Sequence, residues 1–116
     1  MIQTKEKGVG SMTVKKMNAA LFREYLQREE PVLVEFYAPW CSYCRRIEPA
    51  FTRLAARYGE QIMIARMNID EEPELTEQER IELVPTFVLY HRGEALADLV
   101  AQQSYEQLEQ LVLEHL

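Results

Sequence analysis

Cysteine is scarce in this chain: 116 residues hold two, Cys41 and Cys44. Two is too few for the disulfide framework of a small secreted scaffold, and a chain of this length builds a core without one. Long apolar runs are missing too. No window approaches the ~18 apolar residues of a membrane-spanning helix, so no membrane association is expected. Positive charge is in deficit, 13 Lys and Arg against 19 Asp and Glu, for a net charge of -6. A nucleic-acid partner favours a basic patch, so that class is set aside. Residues 1–12 carry lysines but no apolar core of a signal peptide, and the expectation is a cytoplasmic protein. There is no internal repeat and no low-complexity segment.

What is present reads as one domain. Residues 1–11 are expected to be a flexible extension, with Gly8 and Gly10 interrupting regular structure, and 12–116 the folded unit. Met12 to Lys16 is a candidate strand. Asn18 is a candidate N-cap for a helix to about Gln27, with Leu21, Phe22, Tyr25 and Leu26 on one face. Val32 to Tyr37 is nearly continuous apolar sequence, as in a strand covered on both faces. A second helix should start at the cysteines and run to about Tyr58, kinked by Pro49 and closed by Gly59. Ile62 to Asn68 reads as a strand, and Pro73 as the first turn of a helix ending near Leu83. Thr86 to Tyr90, the turn Arg92-Gly93 and Ala95 to Val100 form a hairpin. Ser104 and Gln107 make a capping box for a last helix, with Leu108, Leu111, Val112 and His115 on its buried side. Alternating strands and helices followed by a hairpin give an α/β fold, a mixed sheet with helices on both faces.

The two cysteines stand in Trp40-Cys41-Ser42-Tyr43-Cys44. Three readings compete. As a redox dithiol, Cys41 would sit at a helix N-terminus, where unpaired N–H groups and the helix dipole favour a thiolate. Cys44, one turn deeper, would resolve what Cys41 begins. As a metal site, the pair lacks a second close ligand pair, because His91 and His115 lie far apart in the sequence. As inert core residues, the cysteines are poorly placed between Trp40 and the charged Arg45-Arg46. Glu35 is the lone carboxylate within Val32 to Tyr37. Buried, it would have a raised pKa suited to a general base for Cys44; half exposed, it would be an ordinary solvated carboxylate. Arg45 is either a charge favouring the Cys41 thiolate or a solvated helix residue.

Phe36-Tyr37-Ala38-Pro39-Trp40-Cys41-x-x-Cys44 resembles the active site of the thioredoxin superfamily, in the wording of its disulfide-isomerase branch. Pro49, Asn68-Ile69-Asp70, Val84-Pro85-Thr86 and Arg92-Gly93-Glu94 are similar to that family's segments at matching spacings, over residues 12–116. The resemblance implies a thioredoxin fold, a central mixed sheet of about five strands flanked by four helices. It implies thiol–disulfide exchange with protein disulfides by Cys41 and Cys44, with Glu35 as the acid of the site and a cis Val84-Pro85 bond beside it. No metal and no tightly bound cofactor is implied, because the cysteines carry the electrons. A reductase or other thiol donor would recycle the pair, and the protein would act as a monomer. Trp40, Ser42, Tyr43, Val84, Pro85 and Ala101 would border the substrate groove.

Four positions depart from the family pattern, one of them Tyr37, which stands in place of a Trp common in thioredoxins. Ser42-Tyr43 replaces the Gly-Pro of thioredoxins and the Gly-His of isomerases, and should make the couple less reducing than thioredoxin's. Ala101 stands where thioredoxins have a glycine, so its methyl, with Gln102 and Gln103 after it, should narrow or repolarise the groove. The expected activity is that of a thioredoxin-like reductant. The alternatives are an oxidase or isomerase, a peptide-binding module with incidental redox activity, and metal or iron–sulfur binding shared between two chains.

Overall fold

The computed structural model describes residues 12–116; the expected extension over 1–11 lies outside them. Nine elements follow in order: β1 (Lys15–Lys16), α1 (Ala19–Leu26), β2 (Val32–Tyr37), α2 (Ser42–Tyr58), β3 (Met63–Asn68), α3 (Pro73–Gln78), β4 (Thr86–His91), β5 (Glu94–Val100) and α4 (Tyr105–Leu113). The strands form one sheet in the order β1-β3-β2-β4-β5. β3 runs parallel to β1 and β2, while β4 is antiparallel to β2 and β5. This is the thioredoxin fold.

β2 is buried along its whole length, as its apolar sequence requires of a central strand. Alternation sends its side chains to two cores. Leu33 joins Ile47, Phe51 and Leu54 of α2 and Leu108 and Val112 of α4 on one face. Val32, Val34 and Phe36 join Phe22 of α1 and Leu75 of α3 on the other. Glu35 and Tyr37 follow Leu33 in this alternation and so face α2. β3 obeys the same rule: Ile64 belongs to the α2 side, Ala65 and Met67 to the opposite side. Arg66 therefore shares the α2 side with Glu35, and the parallel register sets the two directly opposite each other.

Local chemistry closes the elements. Leu21 N–H donates to the Asn18 side chain at 2.8 Å, capping α1. Ser104 and Gln107 form the reciprocal capping box of α4. Arg92 and Gly93 both have positive φ, the geometry of the tight hairpin turn between β4 and β5.

Gly59 is the C-cap of α2, as expected, with a right-handed φ of -63°. Two expectations need correction. The first strand is two residues long, Lys15–Lys16, instead of starting at Met12. α3 stops at Gln78, short of Leu83. Its end is a Schellman motif with arginine at the left-handed position. Arg80 has φ 59°, its N–H donates to Glu77 O at 3.0 Å, and Ile81 N–H donates to Thr76 O at 3.0 Å. The chain then turns Ile81 into the core beside α3.

Candidate active site

The end of β2 and the start of α2 meet at Cys41. It is the N-cap of α2, with extended backbone, and its Sγ accepts the Cys44 N–H at 3.1 Å. An N-cap normally offers an oxygen to these unpaired amides; here sulfur takes the place. Cys41 and Cys44 are free thiols, 6% and 1% exposed. Cys44 lies on the inner face of α2, packed with Tyr37, Ala38 and Cys41.

Two further loops close on this point. The Val84-Pro85 peptide bond is cis, and Val84 O accepts the Cys41 S–H at 3.6 Å. Ala101 N–H donates to Pro85 O at 2.7 Å, and Ala101 itself holds φ 72°. That is the left-handed region, which costs a residue with a Cβ roughly 1 kcal/mol or more. The methyl expected from the sequence is therefore held beside the proline loop in a conformation glycine would adopt freely.

Trp40 is 66% exposed and lies outside the core, with its Nε1–H donating to Asp70 Oδ2 at 3.0 Å. Asp70 N–H in turn donates to Asn68 Oδ1 at 2.8 Å. Ser42 and Tyr43 are exposed on the first turn of α2, and Arg46 lies 5.5 Å from the Tyr43 ring centre. Arg45 is not free in solvent: its Nη1–H donates to Pro39 O at 2.7 Å, bracing the loop before Cys41.

Beneath the cysteines, Glu35 is fully buried and neither carboxylate oxygen has a hydrogen-bond partner. Its nearest cation is Arg66, whose Nε is 4.0 Å from Oε1, an ion pair too long to be a hydrogen bond. Burial pushes the Glu35 pKa up to about 7, the Arg66 charge pulls it down, and the Glu48 charge adds to the rise. Cys44 is also pushed up. Burial is the largest cause, followed by its hydrogen bond with Cys41; a hydrogen bond with Ala38 backbone opposes, and the charges of Cys41 and Glu35 add. Two proton holders, Cys44 and Glu35, are thus both biased toward their neutral forms, and the Glu35 charge adds to the rise at Cys44.

The structure brings Cys41, Cys44, Trp40, Val84, Pro85 and Ala101 to one end of the sheet, with Glu35 below them. Two neighbours went unread in the sequence, Arg66 and Glu48. The signal for Arg66 was there: a cation on β3 opposite the only carboxylate of β2, visible once the parallel register is known. No group of three or more His, Cys, Asp or Glu among the described residues is placed to hold a metal ion. No helix among them is long and apolar enough to cross a membrane.

The thioredoxin family model matches residues 13–114. The chain belongs to the thioredoxin family. A thioredoxin of Alicyclobacillus acidocaldarius subsp. acidocaldarius is 38% identical, the match spanning 78% of this chain and 86% of that one. Thioredoxin 1 of Synechococcus elongatus is 34% identical over 72% of this chain and 78% of its own. A bifunctional thioredoxin reductase/thioredoxin of Mycobacterium leprae is 29% identical over 86% of this chain and 21% of its own length. Among solved structures, a Plasmodium falciparum thioredoxin superposes with TM-score 0.82 at 31% identity, covering 89% of this chain and all of that one. A mutant thioredoxin from Halobacterium salinarum NRC-1 gives 0.83 at 25% identity, with 91% and 93% covered. The chain is thus a thioredoxin-like protein-disulfide oxidoreductase.

Proposed function

We propose that the Cys41–Cys44 dithiol reduces protein disulfides, with Cys41 as attacking thiolate and Glu35 as proton acceptor for Cys44. The observation that carries this reading is a buried, unpartnered carboxyl of pKa about 7 beneath a buried thiol that needs to lose its proton. The Cys41 thiolate attacks one sulfur of the substrate disulfide. That S–S bond breaks, the leaving sulfur departs as a thiolate and takes up a proton, and a mixed disulfide joins Cys41 to the substrate. Cys44 gives its proton to Glu35 and attacks Cys41 Sγ. The mixed disulfide breaks, the second substrate sulfur leaves as a thiolate and takes up a proton from solvent, and the protein keeps a Cys41–Cys44 disulfide. Glu35 returns its proton as the pair is reduced again.

The cis Val84-Pro85 loop and the exposed faces of Trp40 and Tyr43 suit an extended peptide carrying the target disulfide. Every group in this scheme comes from one chain, so a monomer suffices. Continued reduction needs a thiol or reductase donor and a reducing compartment, as the cytoplasm is. The Mycobacterium leprae relative, a reductase and a thioredoxin on one chain, supports a reductase as that donor.

The test is insulin reduction by dithiothreitol. Wild type should accelerate it, Cys41→Ser should lose the acceleration, and Cys44→Ser should accumulate mixed disulfides. Full acceleration by Cys41→Ser would overturn the assignment. Undiminished partner binding by a Cys41→Ser, Cys44→Ser double variant that cannot reduce insulin would favour the peptide-binding module.

A further inference from the structure

Arg66 serves two carboxylates that sit at different depths. Its Nη2–H donates to Glu48 Oε2 at 2.9 Å, a full hydrogen-bonded ion pair near the surface. Its Nε points at Glu35 Oε1 from 4.0 Å and makes no hydrogen bond. The guanidinium lies over the Tyr37 ring, 3.9 Å from its centre, which fixes the plane of the fork. Side-chain exposure is 46% for Glu48, 24% for Arg66 and none for Glu35. Glu48 is one helical turn beyond Cys44 on α2, so the helix that carries the resolving thiol also carries the group that engages the cation.

We infer that Glu48 is a positioning residue for the exchange reaction: by holding Arg66 in its own hydrogen bond, it keeps the guanidinium from closing on Glu35, so that Glu35 stays able to take up and return the Cys44 proton. This rests on Glu35 being the proton acceptor. If Arg66 moved inward by about 1 Å, Nε would reach hydrogen-bond distance and lock Glu35 as a carboxylate. A locked carboxylate is a poor proton acceptor. If Arg66 were absent, Glu35 would hold its proton too firmly. Glu48 sets the position between these extremes.

The charged and titratable groups facing Glu35 are few. β3 supplies Arg66, α2 supplies Cys44 and Glu48, and the loop before α2 supplies Cys41 through its contact with Cys44. Tyr37 lies on Glu35's own strand, and β4 sets the apolar Phe87 opposite it.

The experiment compares wild type, Glu48→Gln, Arg66→Met and the double variant. Two readouts are taken: the titration midpoint of Glu35 from its carboxyl-carbon NMR shift, and the pH profile of resolution. Resolution is followed in stopped flow as release of the second aryl thiolate from a small aryl disulfide. Glu48→Gln should lower the Glu35 midpoint by about half a pH unit or more and carry the pH profile down with it. Arg66→Met should raise both, and on that background Glu48→Gln should have a clearly smaller effect. A midpoint that stays in place or rises in Glu48→Gln overturns the inference. So does an equal fall with and without Arg66, which would make Glu48 a bare through-space charge. Should Arg66→Met not fold, Arg66→Lys serves, because one ammonium cannot reproduce the fork. Failure of the underlying reading is seen separately: Glu35→Gln would then leave the pH profile of resolution unchanged, whatever the NMR midpoints do.

Discussion

Glu35 is a carboxyl group removed from water with nothing to bond, and that position has a stability consequence. Its ordinary pKa is 4.5 and its folded value is about 7. Well below pH 4.5 both folded and unfolded chains keep the proton, and ionisation of the group costs nothing. As pH rises from about 4.5 to 7 the unfolded chain releases its proton while the folded chain keeps it, so stability falls. Above 7 the loss is complete, roughly 3 kcal/mol at most. Glu35→Gln removes this component. In urea unfolding at a series of pH values, the variant should gain on wild type steadily from pH 5 to 8 and then keep its lead. Parallel profiles would sink the account. A group retained in spite of such a cost suits a site where proton transfer matters more than stability. Ala101 has the same character on a smaller scale, a methyl kept at a left-handed position that a glycine would fill without strain.

Elements here end by identifiable chemistry, and that governs which were legible in advance. α4 begins at a capping box readable as Ser104 followed three residues later by Gln107, and the structure contains both of its hydrogen bonds. Ser104→Ala should cost about 1 kcal/mol in chemical denaturation without changing the redox activity. A cost near zero would mean that the packing of Leu108 and Val112 alone holds the helix. α3 was misread because its stop is a Schellman turn with Arg80 where glycine is the usual signal; only the backbone reveals it. β1 was read too long because the local sequence of Met12 to Lys16 does not say how many of its residues find a neighbouring strand. The cysteine pair and Pro85 were legible as short motifs at fixed spacing, Glu35 as the lone carboxylate of an apolar strand, and Ala101 as a departure from the family's glycine. Arg66 and Glu48 were not, since their meeting depends on the register of β2 with β3 and on the packing of α2 over both. Sequence spacing carries no direct record of that geometry.

The reduction potential belongs to the molecule as a whole, because it compares the free energies of two folded states. A proline at position 43 would lack a backbone N–H. Tyr43 keeps one in the first turn of α2, among the amides that a helix leaves unpaired at the end capped by Cys41. That donor favours a thiolate, and whatever stabilises the reduced form makes the couple more oxidising. In equilibrium with glutathione the potential should lie above the about -270 mV of thioredoxin. A value at or below that figure would overturn the argument, and Tyr43→Pro should move the couple toward it. How such measurements are made depends on one placement. Trp40 is the only indole in the chain, 66% exposed in the native state and immediately before Cys41. Its emission is an optical gauge of sulfur oxidation, since a disulfide beside an excited indole quenches it. The same emission is a poor gauge of unfolding, because the ring is already wet when the protein is native. Intensity changes during denaturation will report the opening of the site, and the two cores must be followed by circular dichroism instead.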